Sequence, residues 1–98
     1  MTLQRDPQRL ERKALLRFAD FRDKRVLEVG CGEGRLTWLY ADSARHVTAF
    51  DPDLDALRVA RADRPVRLES RVALTGASAR HLPFPHEKFD IAILAWSL

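Results

Sequence analysis

The sequence holds a single cysteine, Cys31, and only four glycines among 98 residues. A lone cysteine cannot close an internal disulfide, and none of the three histidines, His46, His81 and His86, stands at ligand spacing to it or to another. A disulfide-braced module and a metal centre are therefore not expected, and a reducing, cytoplasmic setting is. No apolar run approaches the roughly 20 residues needed to cross a bilayer; the longest is Ile91 to Trp96. The first residues also lack the charged-then-apolar layout of a secretion signal, so no membrane partner is expected. Nor is there a block of one charge. The net charge is +3, but arginines and acidic residues alternate along the chain, and nucleic acid is not an expected partner.

What is present fits one soluble globular domain: 46% hydrophobic and 32% charged residues, with no repeat, linker or low-complexity stretch. A fold of this size buries about half to two-thirds of its unfolded surface, so its stability is expected to be modest. Asp6 can cap a helix opened by Pro7, and Leu10, Ala14, Phe18 and Phe21 recur at roughly helical spacing, which predicts a leading helix from Pro7 to about Asp20. Arg25–Val29 is a short β-rich run that ends in Gly30-Cys31-Gly32-Glu33-Gly34, after which Leu36, Leu39 and Tyr40 resume helical spacing. His46–Phe50 repeats the strand pattern and stops at Asp51-Pro52. Asp53 then caps a helix that carries Leu54, Leu57 and Ala60, closed by Pro65. Arg71–Thr75 reads as a third strand, with Val66–Glu69 either extending it or forming a turn. Phe89 to Ala95, apolar at almost every position after Asp90, reads as a fourth strand covered on both faces. Strands alternating with helices predict a doubly wound α/β domain with a parallel sheet.

A glycine-rich turn between strand and helix lets a ligand approach bare backbone. In a dinucleotide site the spacing is G-x-G-x-x-G and the loop N–H groups aim at a diphosphate. Here the run is Glu28-Val29-Gly30-Cys31-Gly32-Glu33-Gly34, with G-x-G-x-G spacing and two carboxylates beside it, which disfavour phosphate. A cationic ligand without phosphate suits this setting, because Glu28 can meet an ammonium directly or through water. Asp51, at the end of the second strand, can accept both hydroxyls of a ribose, a device that NAD sites share; Pro52 follows it. Cys31 stands where a helix N-terminus can activate a thiol, although a small packed residue in the loop is the favoured reading.

These residues resemble the first two motifs of the class I S-adenosylmethionine-dependent methyltransferases, with Glu28, Gly30, Gly32 and Gly34 matching E/D-x-G-x-G-x-G. A third segment, Gly76 to Asp90, resembles D-A-x-x-L-P-F-x-x-x-x-F-D of the small-molecule enzymes of that class. The resemblance covers Val26 to Leu98 and implies a Rossmann-like, doubly wound sheet of order 3-2-1-4 for the strands present. It also implies S-adenosylmethionine as cofactor, with Ser78 and Ala79 near adenine and Trp96 near the transferring methyl. Ser78 stands where the family has Asp, and a neutral, shorter side chain implies a weaker hold on adenine. Asp90 in the family organises the turn before the fourth strand, and Phe89 is expected in the core.

Methyl transfer from a sulfonium is an in-line displacement that rests on alignment, and no general base can be named from these residues. After the fourth strand stand Ala95-Trp96-Ser97-Leu98. They match neither the Asn/Asp-Pro-Pro-aromatic motif of enzymes acting on amino groups nor the Pro-Cys of cytosine-C5 enzymes, which points to a small-molecule acceptor. Family members continue for three more strands, so the chain is expected to be the cofactor-binding portion, one domain lacking the C-terminal strands. The edge at residues 91–95 is then expected to be covered by a second copy or another polypeptide. A non-catalytic module that keeps the fold, and an NAD-type nucleotide-binding domain, are the alternative readings.

Overall fold

Burial on both faces of two short strands explains why the chain folds in layers. The computed structural model describes residues 20–77 and 88–95. Strand β1, Arg25–Val29, turns Val26 and Glu28 to one side and Leu27 and Val29 to the other, and all four are buried. Strand β2, His46–Asp51, does the same with Val47 and Ala49 against Thr48 and Phe50. Burial on both faces is what a central parallel strand requires. Helix α1 is Arg35–Tyr40 and helix α2 is Leu54–Asp63; a single 3-10 turn at Val66–Leu68 leads to β3, Val72–Gly76, and β4 is Ile91–Leu94. All pairings are parallel and the order is β3-β2-β1-β4. The expected doubly wound sheet and its strand order are therefore observed. The expected leading helix, Pro7 to about Asp20, lies outside the described residues except for Asp20, which is not helical.

The boundaries move by a residue or two. β2 runs on to Asp51, because that residue still pairs with Gly76 of β3. β3 begins at Val72 rather than Arg71, and Val66–Leu68 forms the turn and not an extension of the strand. β4 is four residues long, and it differs from expectation in its surroundings. Ile91 and Ile93 are half-buried, whereas Ala92 and Leu94 are exposed, Leu94 by 54%. Among the described residues the strand pairs with β1 alone, so an apolar sequence here does not mean cover on both faces.

The larger part of the core gathers on the Val26 side: Phe21, Cys31, Tyr40, Val47, Ala49, Leu57, Leu68 and Val72. Leu27, Val29 and Phe50 make a second cluster on the opposite side, against which Ala77 and Phe89 pack. The valine, leucine and phenylalanine side chains among them contribute about 1.5–3 kcal/mol each on full burial. The Asp53 carboxylate accepts from the backbone N–H groups of Asp55 and Ala56, both at 3.1 Å, and caps α2 as its sequence predicts. Asp90 ties the start of β4 to the start of β1. It accepts from the Arg25 backbone N–H at 2.9 Å and faces the Arg25 guanidinium at 3.3 Å, while its own N–H donates to the Arg25 carbonyl at 2.8 Å. The Asp90 carboxyl consequently lies below its ordinary pKa, chiefly through the Arg25 hydrogen bonds.

Candidate functional site

Parallel pairing in register carries the ends of β1 and β2 to one edge of the sheet, since Glu28 lies opposite Ala49 and Val29 opposite Phe50. The glycine loop leaves β1 at that edge and is sewn to β2. Gly30 N–H and Cys31 N–H both donate to the Phe50 carbonyl, at 2.8 and 3.1 Å, and Gly32 N–H donates to Asp51 Oδ2 at 2.9 Å. Gly34 N–H turns back to the Cys31 carbonyl at 3.0 Å. Four of the five N–H groups of Gly30 to Gly34 thus have partners within the chain. A loop arranged in this way cannot present a row of N–H donors to a diphosphate without giving up bonds it already has.

The glycines differ in purpose. Gly32 has φ +55, and a Cβ built on it would meet nothing within 4 Å, so this part of the loop faces open space among the described residues. Gly34 has φ +86, and a Cβ there would lie 2.5 Å from the Trp38 ring. It is a packing glycine that lets the first turn of α1 carry an indole against the loop. Both positions have the left-handed backbone that side chains disfavour. Gly30, also at positive φ, completes the turn. Gly76, opposite Asp51 on β3, has a Cβ position only 2.7 Å from Leu54 Cδ2, which brings the start of α2 close over the end of β3.

Glu28 is wholly buried. Its Oε1 accepts from the Thr37 hydroxyl at 2.8 Å and from the Tyr40 hydroxyl at 2.5 Å, two residues that stand one turn apart on α1. Its Oε2 is buried with no hydrogen-bond partner among the described residues. Burial pushes the Glu28 carboxyl above its ordinary pKa, and the two hydroxyl bonds pull it back only in part. Tyr40 is itself held by stacking on Phe21, with ring centroids 4.6 Å apart, and burial next to Glu28 drives its phenol upward. The Cys31 thiol is buried, and desolvation with the nearby Glu28 and Asp51 carboxylates pushes it up to about 12. That direction disfavours the thiolate at neutral pH, opposite to activation by the helix end, and supports the reading of Cys31 as a packed loop residue.

Asp51 presents the opposite arrangement. It is only half-buried, and its two oxygens accept from backbone, Oδ1 from Asp53 N–H at 2.8 Å and Oδ2 from Gly32 N–H. Each oxygen keeps a second lone pair, so a fixed carboxylate at the rim can still receive hydroxyls. Pro52 beside it is exposed. Ser78, Ala79 and Trp96 lie outside the described residues. Thr37 and Tyr40 escape the sequence reading because Tyr40 fits the apolar stripe of α1; the signal is a hydroxyl pair at helical spacing facing a strand carboxylate. Among the residues read from the sequence as a site, Glu28, Asp51 and the glycines come together at one edge of the sheet.

A family model described as a methyltransferase domain matches residues 26–98. Among curated proteins, the chain is 34% identical over 77 residues to protein arginine N-methyltransferase 1 of Schizosaccharomyces pombe, covering 78% of this chain and 23% of that protein. The chain thus spans less than a quarter of that relative's length. Among solved structures, a putative methyltransferase from Bacillus halodurans superposes with TM-score 0.72 at 30% identity, over 83% of this chain and 36% of that one. The cyclase SpnF superposes with TM-score 0.74 at 28% identity, over 94% of this chain and 35% of that one. With a parallel sheet of order 3-2-1-4, a strand-to-helix glycine loop and a family match over residues 26–98, the chain belongs to the methyltransferase domain family.

Proposed function

We propose that this chain supplies the cofactor-binding portion of an enzyme that transfers a methyl group from S-adenosylmethionine to a small organic acceptor. The observation that carries the reading is the inward turn of the loop N–H groups beside a buried carboxylate oxygen that has no partner among the described residues. An anionic diphosphate would find few donors there, whereas an ammonium would satisfy Oε2 of Glu28. The residues therefore fit the cofactor that the family implies. Glu28 would hold the ammonium, Gly30 and Gly32 would pass beneath the ligand with Cys31 packed in the turn and Gly34 against Trp38, and Asp51 with Pro52 would border the ribose. Ser78 and Ala79 would lie at adenine and Trp96 near the reacting centre. When bound, the cofactor supplies a methyl group on a sulfonium already activated for displacement, so the chain's own task is to orient and to exclude water.

The relatives act on different acceptors, a protein arginine by name in one case. A small molecule is favoured by Ala95-Trp96-Ser97-Leu98, which lacks the motifs of enzymes acting on nucleic acid bases or polypeptide amino groups. The 54% exposure of Leu94 supports cover of β4 at residues 91–95 by a second copy or another polypeptide. A second reading, cofactor binding without methyl transfer, is favoured by Ser78 in place of an acid and by the likeness to a protein named as a cyclase. Equilibrium titration with S-adenosylmethionine, alongside Asp51→Ala, tests the shared part of both readings. Saturable binding that the substitution weakens supports it, and no binding to the wild type removes it; methyl transfer to candidate acceptors by the whole protein then separates the two.

A further inference from the structure

We propose that Thr37 and Tyr40 are positioning residues that hold Glu28 ready to exchange its proton for a cationic ligand, so that cofactor binding releases a proton from this carboxyl. The inference rests on the reading of the loop as a cofactor seat, and it adds a charge state and two residues to it. Its basis is geometric. Both hydroxyls donate to the same oxygen, Oε1, from one face of α1, which leaves Oε2 buried without a partner among the described residues. Tyr40 cannot swing away, because Phe21 stacks on its ring.

A carboxylate at zero exposure with hydroxyl donors on one oxygen only is poorly compensated, so burial raises its affinity for a proton and favours placing it on the atom that lacks a partner. The groups that face Glu28 do not change this balance. Thr37 and Tyr40 come from α1 and Cys31 from the loop, and all three are neutral at pH 7; β2 and β4 place Ala49 and Ile93 in register with it. Among the described residues, none of the groups acting on its titration is a cation. When an ammonium arrives, the Glu28 O–H bond breaks, the proton passes to solvent, and Oε2 accepts from the ligand N–H instead.

Calorimetric titration with S-adenosylhomocysteine in buffers of different ionisation enthalpy counts the protons. Working from about pH 5 to about pH 6.5 avoids the ligand's own amino group, which titrates near 8. The wild type is expected to release up to about one proton per ligand at the lower pH, falling as pH rises, with an affinity that climbs by up to roughly tenfold per pH unit. Glu28→Gln is expected to abolish both the release and the slope. Tyr40→Phe keeps the stacked ring but removes one donor to the anion, and is expected to move the whole profile to higher pH, a shift that loss of packing alone would not produce. Carbon-13 titration of the Glu28 carboxyl in the ligand-free protein gives an independent reading, with a midpoint above the ordinary glutamate value. Binding with no proton release, or a Glu28 that titrates at its ordinary value, overturns the inference while leaving the cofactor reading in place. Failure of the ligand to bind at all overturns the cofactor reading, and the proton exchange falls with it.

Discussion

Each of the two central strands carries one carboxylate at or next to its end, and the two are treated in opposite ways. Glu28, one residue before the end of β1, is completely buried, with two hydroxyls on one oxygen and, among the described residues, nothing on the other. Asp51 closes β2 at the rim, half-exposed, with a backbone N–H on each oxygen. The difference shows how one edge of a sheet can offer two kinds of acceptor: a dry one with an oxygen left unpartnered among the described residues, and one at the rim that backbone N–H groups hold in place. It also shows that the glycine loop is held by Asp51 and Phe50, not by Glu28, which belongs to the packing of α1 on the sheet.

Truncating the two carboxylates should separate these roles most sharply. Glu28→Ala leaves two buried hydroxyls without an acceptor as well as a cavity, so a loss of several kcal/mol is expected, at about 1–3 kcal/mol for each orphaned group. Urea or thermal unfolding should find that variant largely unfolded, given the modest stability expected of so small a chain. Asp51→Ala is expected to stay folded and to bind S-adenosylhomocysteine about 100-fold more weakly, the equivalent of about 3 kcal/mol in charge-assisted hydrogen bonds. If the stability and binding effects of the two variants were exchanged, the division between dry and rim acceptor would be wrong.

The glycines allow a finer contrast. Gly34→Ala places a methyl into the Trp38 ring at positive φ, and about 2–4 kcal/mol of destabilisation is expected from strain and overpacking together. Gly32→Ala bears only the backbone strain, about 1–2 kcal/mol, because its methyl points into open space. The second variant should lose more ligand affinity than its stability loss explains, since the methyl would stand where the ligand lies. Chemical denaturation and ligand titration on the same two variants check both halves.

Smaller effects should appear as pH dependence with opposite signs. The folded protein holds Glu28 protonated above its ordinary range, so its contribution is fully present below the unfolded value and is lost as pH rises through the folded one. Glu28→Gln should therefore gain stability relative to wild type as pH is raised from about 4 toward neutrality. Asp90 lies below its ordinary value, so its contribution is present above the ordinary carboxylate range and is lost as pH falls through the folded value. That pair with Arg25 is exposed, and Arg25→Ala should give the smallest change in Tm of the set, visible chiefly as a weaker acid dependence.

Much of this arrangement is legible in the sequence because it depends on period and punctuation. β1 and β2 announce themselves by apolar runs that stop at glycines and at Asp51-Pro52, and Asp53 caps the helix as a local rule requires. The order of the strands comes through resemblance to a known family, not through the pattern of residues. β4 misleads for a physical reason: composition reports what a strand could bury, while cover depends on neighbours outside it. Thr37 and Tyr40 are hidden because a tyrosine in a helix stripe looks like core until a carboxylate is seen under it. Likewise, spacing alone gives Gly32 and Gly34 one role, and only the Trp38 ring tells them apart.

The loop is expected to accept an adenosyl ligand that carries an ammonium group and to refuse a diphosphate, and amide NMR of residues 30–34 followed through parallel titrations with S-adenosylhomocysteine and NAD tests this directly. The expected result is saturable shifts of the Gly30, Cys31 and Gly32 resonances with the thioether and none with the dinucleotide. Saturable shifts of the same resonances with NAD, and silence with S-adenosylhomocysteine, would contradict it.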